Sequence, residues 1–155
     1  MSNPSPTELH SFIVRAKAAT YVGGGDTCPP CRPQSHDLKF NEGSFAYLDS
    51  YFGGADFIGE EVVYFDGNPV WAMNYYGRIL EPVSITPAET GQIIQKSLSQ
   101  MYRQGRFLGG FENTIGDDTY VDTSQGEVDA FTGKERILRN NKRVYELVYH
   151  GGLIK

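Results

Sequence analysis

The sequence predicts an α+β fold, in which a curved antiparallel sheet of about six to seven strands packs against two helices. Two observations support this fold class: strand-like segments follow one another through tight turns, and the two helix signals lie far apart in the chain. The 155 residues suit one domain. No internal repeat or low-complexity linker is evident, so we expect residues 1–155 to form a single domain.

The first helix is predicted to begin at Ser5-Pro6-Thr7-Glu8, because these residues combine an N-cap, a proline suited to the first turn and a capping box. The apolar positions that follow have helical spacing and form one stripe, which predicts packing on a core: Leu9, Phe12, Ile13 and Ala16. The Gly/Pro-rich segment Tyr21 to Ser35 lacks periodicity and is predicted to be a long loop.

Strands are predicted at Leu38 to Asn41 and at Phe45 to Phe52. The segment Gly53 to Arg78 is predicted to form two long strands joined by a turn at Asp66-Gly67-Asn68-Pro69, since aromatic and β-branched residues flank turn residues there.

The second helix is predicted from Thr86-Pro87-Ala88-Glu89, which repeats the first start signal, to a stop near Gly105. A Gly-rich connection from Leu108 to Asp118 follows. Three further strands are then expected near Tyr120 to Thr132, Glu135 to Arg139 and Arg143 to His150, with turns at Ser124-Gln125-Gly126, Thr132-Gly133-Lys134 and Asn140-Asn141.

The central hairpin carries more polar side chains than a hairpin requires. Alternation places Glu61 on one face of the first strand, and Asn74, Tyr76 and Arg78 on one face of the second. We expect these groups to converge on one side of the ribbon, with Trp71 on the opposite, core side. Glu61 and Arg78 can then form either a clamp for a ligand or a structural ion pair.

The leading functional hypothesis is a non-catalytic effector-binding or interaction domain with a polar, tyrosine-rich pocket on the sheet. The predicted ligand-binding residues are Tyr47, Asp49, Tyr51, Glu61, Asn74, Tyr76, Arg78 and His150.

Two alternatives remain open from the residues alone. One is a small hydrolase or isomerase that uses Glu61 or Asp49 as base, assisted by His150 or Arg78. The other is a protein–protein interaction module that acts through a sheet edge or an aromatic patch. A homodimer is compatible with either reading.

Charge and composition exclude some classes of function. The net charge of −5 and the pI near 5.1 argue against direct nucleic-acid binding. Apolar runs are too short to cross a membrane, no secretory signal is evident, and the few thiols fit the reducing cytoplasm, where we expect the protein. Cys28 and Cys31, even with His36, form only a weak metal signal, so we expect no metal and no cofactor.

Four segments together resemble a bacterial family of domains of unknown function, and their order spans nearly the whole chain. The segments are Arg32-Pro33-x-Ser35-x-Asp37-Leu38, Tyr51-Phe52-Gly53-Gly54 through Gly59-Glu60-Glu61, Trp71-x-Met73-Asn74-Tyr75-x-Gly77-Arg78, and Tyr149-His150-Gly151-Gly152-Leu153-Ile154. Members occur alone or behind an N-terminal XRE-type helix-turn-helix, in proteins described as transcriptional regulators. The resemblance implies no catalytic residue, cofactor or substrate, and we expect no DNA-binding segment here.

Overall fold

Two helices cover one face of a nine-stranded antiparallel sheet. The structure is a computed structural model and describes residues 3–155. The helices are α1 (Pro6–Lys17), which continues as a π-helical turn (Ala18–Val22), and α2 (Pro87–Arg103). The strands are β1 (Asp26–Cys28), β2 (His36–Glu42), β3 (Phe45–Gly53), β4 (Phe57–Phe65), β5 (Asn68–Ile79), β6 (Phe111–Ile115), β7 (Asp118–Glu127), β8 (Ala130–Arg139) and β9 (Lys142–Leu153).

The α+β class and the two helices agree with the sequence prediction, but the strand count of six to seven is too low. The described chain contains two short strands that were expected to be irregular: β1 within the predicted loop, and β6 within the predicted Gly-rich connection. Both lie at the edges of the sheet, where pairing with a single neighbour gives little sequence signal.

Both helices begin where their capping boxes predict. The Ser5 hydroxyl accepts a hydrogen bond from the backbone of Glu8, and the Glu8 carboxylate accepts one from the backbone of Ser5 at 2.9 Å. Thr86 and Glu89 form the same reciprocal pair at the start of α2. Each pair satisfies backbone donors that a helix start would otherwise leave free.

The sheet must curve around the helices. Nine strands at about 4.8 Å spacing would span roughly 38 Å if the sheet were flat. However, α1 packs against β3, α2 packs against β6 and β7 near the opposite edge, and the two helices also contact each other. One inner face therefore wraps around α1 and α2, and the core lies in that concavity.

The second half of the sheet corrects two predicted turns. The turn after β7 is formed by Val128 and Asp129 rather than by residues 124–126. The predicted turn at residues 132–134 lies inside β8, because Gly133 is needed there as a small strand residue: a Cβ at this position would lie 2.0 Å from the ring of Tyr149. The turn at Asn140-Asn141 is confirmed, with positive φ at both residues.

The sheet order reveals an internal duplication that was not recognised in the sequence. From edge to edge the order is β1-β2-β3-β4-β5-β9-β8-β7-β6. The strands β2–β5 on one side and β6–β9 on the other therefore occur in equivalent order about the β5–β9 pairing, which we call the β5–β9 seam. Each set of four strands follows one helix in the chain. The protein is thus one sheet built from two helix-plus-four-strand units, with β1 added at one edge.

The residue registers agree with this approximate two-fold relation. Tyr75 pairs with Tyr149 at the centre of the seam, and Met73 pairs with Gly151 just as Gly77 pairs with Leu147. The two halves also share their irregularities: Gly53 and Gly126 have φ of 96° and 90° at corresponding positions. Both long hairpins contain a register shift at the same place, after Val63 and after Ile137.

Candidate functional site

The predicted convergence of Glu61 with Asn74, Tyr76 and Arg78 is wrong. Glu61 pairs with Met73, whereas Asn74 pairs with Glu60 on the other face of the sheet. A β-bulge causes the difference: the register shifts after Val63, which leaves Val70 as an extra residue in β5. A one-residue insertion moves every following side chain to the opposite face.

The structure consequently divides the eight predicted ligand-binding residues between two faces. Four lie on the inner face, where Tyr47, Asp49 and Glu61 are buried and Tyr51 is half-buried. The other four lie on the outer face and are exposed: Asn74, Tyr76, Arg78 and His150. Arg78 does not approach Glu61 and instead pairs with Glu146 at 2.8 Å. Trp71, expected on the face opposite Glu61, shares its inner face as part of the core.

A cavity of about 450 Å³ lies between the inner face and the helices. Both halves of the sheet contribute to its wall, and the helices and the π-helical turn close its other side. Its charged and aromatic lining residues include Lys17, Tyr21, Asp49, Tyr51, Glu61, Tyr75, Tyr102, Phe107, Asp122, Glu135, Tyr145 and Tyr149. The sequence prediction found three of these residues, Asp49, Tyr51 and Glu61.

A buried ion pair joins α1 to the sheet inside this cavity. The Lys17 ammonium lies 2.6 Å from Oε2 of Glu61, and both side chains are almost fully buried. The same ammonium lies 3.3 Å from Sδ of Met73 and 5.5 Å from the ring centre of Phe107. A buried charge requires this kind of compensation, so Lys17 is the true partner of Glu61.

Two tyrosine–aspartate pairs occupy corresponding positions in the two halves. The Tyr75 hydroxyl donates a hydrogen bond to Asp49 at 2.6 Å, and the Tyr149 hydroxyl donates one to Asp122 at 2.8 Å. Each ring lies across a glycine of the neighbouring strand. A Cβ on Gly59 would lie 2.4 Å from the Tyr75 hydroxyl, as one on Gly133 would meet the Tyr149 ring. The missing side chains create the room that lets both phenols reach the carboxyl groups.

Three of the cavity's carboxyl groups hold their protons more tightly than usual. Burial, reinforced by the negative charge of Glu61, raises the pKa of Asp49 well above its usual range. Burial raises the pKa of Asp122 to about 6, although the Tyr149 hydrogen bond opposes the rise. Burial and the charge of Asp122 raise the pKa of Glu135 to about 8. These shifts follow from burying several acids close to one another.

The outer face carries a different, structural network around the Arg32–Asp37 segment. Asp37 is buried and accepts hydrogen bonds from the Cys31 backbone and from the hydroxyls of Ser35 and Ser50. Burial alone would raise the pKa of Asp37, but these hydrogen bonds outweigh it and lower the pKa to about 2. Arg32 completes the network by donating to the carbonyl and hydroxyl of Ser50.

The residues considered as a weak metal set do not converge. Cys31 contacts Ser50 on the outer face, whereas the His36 ring packs at a tilt against Tyr51 at the inner face, with ring centres 5.1 Å apart. Cys28 and Cys31 are both free thiols. Within residues 3–155, no three His, Cys, Asp or Glu side chains are grouped so that they can hold a metal ion. In the same residues, no helix has the length and apolar character needed to cross a membrane.

The sequence profile of the family described as "Domain of unknown function (DUF5680)" matches residues 49–154. The chain belongs to this family. A comparison with curated proteins finds no match. The DUF5680 region includes α2, strands β4–β9 and the second half of β3, and therefore both tyrosine–aspartate pairs; Lys17 lies outside it.

The missed cavity residues had a signal in the sequence. Gly59-x-Glu61 and Tyr75-x-Gly77 recur with the same spacing as Gly133-x-Glu135 and Tyr149-x-Gly151. Superposing these two patterns would have revealed the duplication, and with it the correspondence between Glu61 and Glu135. Lys17 had no comparable signal, because a lysine at the end of a helix is ordinarily exposed.

Proposed function

We propose that the protein binds a small organic molecule in the cavity between the helices and the inner face of the sheet, and that it acts as an effector-binding domain. The volume of about 450 Å³ lies within the range of about 300–1,000 Å³ that is usual for ligand sites. Aromatic rings supply much of the wall, and a few polar groups converge within it. This combination is typical of a site that selects a ligand by shape and orients it by hydrogen bonds.

The observation that carries the proposal is the pair of tyrosine–aspartate hydrogen bonds across the cavity. Tyr75 donates a hydrogen bond to one carboxyl oxygen of Asp49, and Tyr149 donates one to one carboxyl oxygen of Asp122. Both acids line the cavity. A sheet without a ligand-binding role would be expected to place apolar side chains at these inner positions. Instead the fold fixes polar groups in defined orientations, which is how a binding site reduces the entropy lost on association.

Catalysis by the combination predicted from the sequence does not fit the geometry. Asp49 and Glu61 face the cavity, whereas His150 and Arg78 lie on the outer face of the sheet. A general base and its assisting group must lie within hydrogen-bond reach of the same substrate. The proposed role is therefore binding rather than hydrolysis or isomerisation by these residues.

A thermal-shift screen against a metabolite library tests the proposal. Binding to the folded state raises the melting temperature, and a ligand at 100 times its Kd contributes about 2.7 kcal/mol. We expect Glu135→Gln to weaken the shift given by a hit, and Arg78→Ala to leave it unchanged because Arg78 is on the outer face. The proposal fails if no compound stabilises the protein, or if Arg78→Ala removes the shift and Glu135→Gln does not.

The hypothesis of a protein-interaction module has one specific feature in its favour. Ile58, Tyr76 and Val148 are exposed neighbours across three adjacent strands of the outer face. Sedimentation velocity over a range of concentrations would detect the homodimer that remains a prediction. If self-association uses this stripe, Val148→Lys should abolish it; a purely monomeric protein would contradict the dimer prediction.

A further inference from the structure

The internal duplication allows the two halves of the cavity to be compared position by position. When the two helices are aligned on their N-caps, Ser5 and Thr86, Lys17 in α1 corresponds to Leu98 in α2. When the two halves of the sheet are aligned on their glycine–tyrosine contacts, Gly59–Tyr75 and Gly133–Tyr149, Glu61 corresponds to Glu135. Both halves therefore present a glutamate at the same point of the inner face, but only the first half supplies a lysine.

The second half thus has a carboxyl group, that of Glu135, but no ammonium group to pair with it. Lys17 forms an ion pair with Glu61, whereas Leu98 is apolar and also lines the cavity. Glu135 forms no ion pair within residues 3–155, and its neighbour across the strand pair is a second acid, Asp122.

A second, independent observation points to an absent partner at the same place. Asp122 is 4% exposed, and its Oδ2 atom is buried without a hydrogen-bond partner in the described chain, while its other oxygen accepts from Tyr149. A buried carboxylate oxygen without a partner is costly and calls for an explanation. Arg106 does not supply it, because its guanidinium donates to the carbonyls of Leu108 and Gly110.

We propose that the ligand is a small organic cation with a primary ammonium group, which lies against Glu135 and Asp122 as Lys17 lies against Glu61. This inference rests on the proposed function and specifies its ligand class. The charge of the cavity supports it: four carboxyl groups, those of Asp49, Glu61, Asp122 and Glu135, face the single ammonium of Lys17. A further cation would supply Asp122 and Glu135 with the ion pair that neither forms within residues 3–155.

The aromatic lining suits the same ligand. The Lys17 ammonium lies 5.5 Å from the ring centre of Phe107, so the cavity already holds one cation between a carboxylate, that of Glu61, and an aromatic ring. Tyr102, Tyr145 and Tyr149 line the cavity on the side of Glu135. An alkyl-ammonium ligand can therefore place its charge on the acids and its methylene groups against the rings.

Isothermal titration with matched probes tests the inference. The probes are 1,4-diaminobutane and n-butylamine as cations, with 1,4-butanediol as a neutral analogue and butyrate as an anion. We expect the amines to bind and the neutral and anionic analogues to fail. Removing the acid with Glu135→Gln should weaken amine binding about 10- to 100-fold, which corresponds to loss of a hydrogen bond to a charged group.

The duplication also supplies a variant that should block the site from within. Leu98 is the position in α2 that corresponds to Lys17 in α1. Leu98→Lys therefore places an ammonium group next to Glu135, where it should compete with the ligand and abolish amine binding. Leu98→Met is the matched control, because it replaces the leucine with an unbranched side chain that carries no charge, and it should retain binding. Circular dichroism melts establish that each variant is folded, and Glu135→Gln tests the inference even if Leu98→Lys does not fold.

The outcomes separate the ligand class from the proposed function. Two outcomes would overturn the cation inference and leave the binding function standing. One is that butanediol binds as tightly as the amines. The other is that a library compound without a cationic group binds and its binding depends on Glu135. Amine binding that survives both Glu135→Gln and a folded Leu98→Lys would also overturn the inference. If no probe and no library compound binds, the proposed function fails as well.

Discussion

At the scale of single residues, the least expected finding is a lysine buried in the centre of the molecule. Lys17 is 6% exposed, lies in the last turn of α1 and forms an ion pair with Glu61 in the sheet. The helical stripe of Leu9, Phe12 and Ile13 could be read from spacing alone, because burial of apolar side chains follows periodicity. The partner of a buried carboxylate depends on tertiary packing, and spacing carries no information about it.

Replacing Lys17 by methionine should destabilise the protein by about 3–5 kcal/mol, since the change leaves the Glu61 carboxylate buried without its counter-charge. Urea unfolding at pH 7 would measure the effect. The double variant Lys17→Met/Glu61→Leu should recover most of the loss, because replacing a whole buried pair with apolar groups is often neutral. A single variant as stable as the wild type would show that the ion pair contributes nothing.

Removing one phenolic hydroxyl should have a smaller, local cost. Tyr75→Phe deletes the hydrogen bond to Asp49 and should lower the free energy of unfolding by about 1–3 kcal/mol. Tyr76→Phe is the matched control in the next position, because Tyr76 is exposed on the outer face; its effect should stay within about 0.5 kcal/mol. Equal effects of the two substitutions in chemical denaturation would contradict the assigned faces.

At the scale of elements, the helix starts and two of the four predicted turns were predictable, whereas the strand registers and the turns at 124–126 and 132–134 were not. The capping boxes at Ser5 and Thr86 and the turns at residues 66–67 and 140–141 depend on local chemistry, and all of them appear where expected. The bulge at Val70 has no local signature, since valine suits a regular strand equally well. That one residue decides which face carries Asn74, Tyr76 and Arg78, so these three of the eight predicted site residues were placed on the wrong side.

Strand glycines that accommodate tyrosines should be intolerant of substitution. Gly133→Ala would place a Cβ about 2.0 Å from the Tyr149 ring, so we expect a loss of about 1–3 kcal/mol as the ring is displaced. Gly91→Ala is the contrasting control, because no atom lies within 4 Å of a Cβ there and the residue is in α2. It should stabilise the helix by about 0.5–1 kcal/mol. Thermal melts of both variants would reveal whether Gly133 holds the ring in place.

At the scale of the whole molecule, the crowded acids predict an unusual pH dependence. Burial raises the pKa of Asp122 to about 6 and that of Glu135 to about 8, so the folded protein binds more protons than the unfolded chain between about pH 4.5 and pH 8. The free energy of unfolding should therefore fall as the pH rises through this window, by at most about 1.4 kcal/mol per pH unit for each group.

Urea unfolding of the ligand-free protein from pH 5 to pH 9 would measure this slope, and Glu135→Gln should reduce it above pH 6, with the rest of the slope due to Asp49, whose pKa is also raised. The groups that face Glu135 are Lys17, Glu61, Asp122 and the surrounding tyrosines, and Lys17 opposes the rise in pKa. Asp37 acts in the opposite sense but outside the window, because its pKa of about 2 makes its stabilisation complete above about pH 5. Stability that increases from pH 5 to pH 9 would contradict the assignment.

The duplication explains why the overall architecture was only partly predictable. The sequence indicated two helices and a series of hairpins, which is the content of two similar units. Their relation is clearest where β5 pairs with β9, because Tyr75 lies beside Tyr149 there. Such long-range pairing leaves no trace in local propensity, and the two halves have diverged at the positions that matter most, such as Lys17 and Leu98.

The boundaries of the DUF5680 match have a practical consequence for anyone expressing the domain. Residues 49–154 begin inside β3 and leave out α1, which covers the inner face of the first half, together with the edge strand β1 and its neighbour β2. A fragment cut at those limits would lack Lys17 and leave the Glu61 carboxylate without its counter-ion. The matched region is thus shorter than the segment that forms the sheet and its helical cover in this chain.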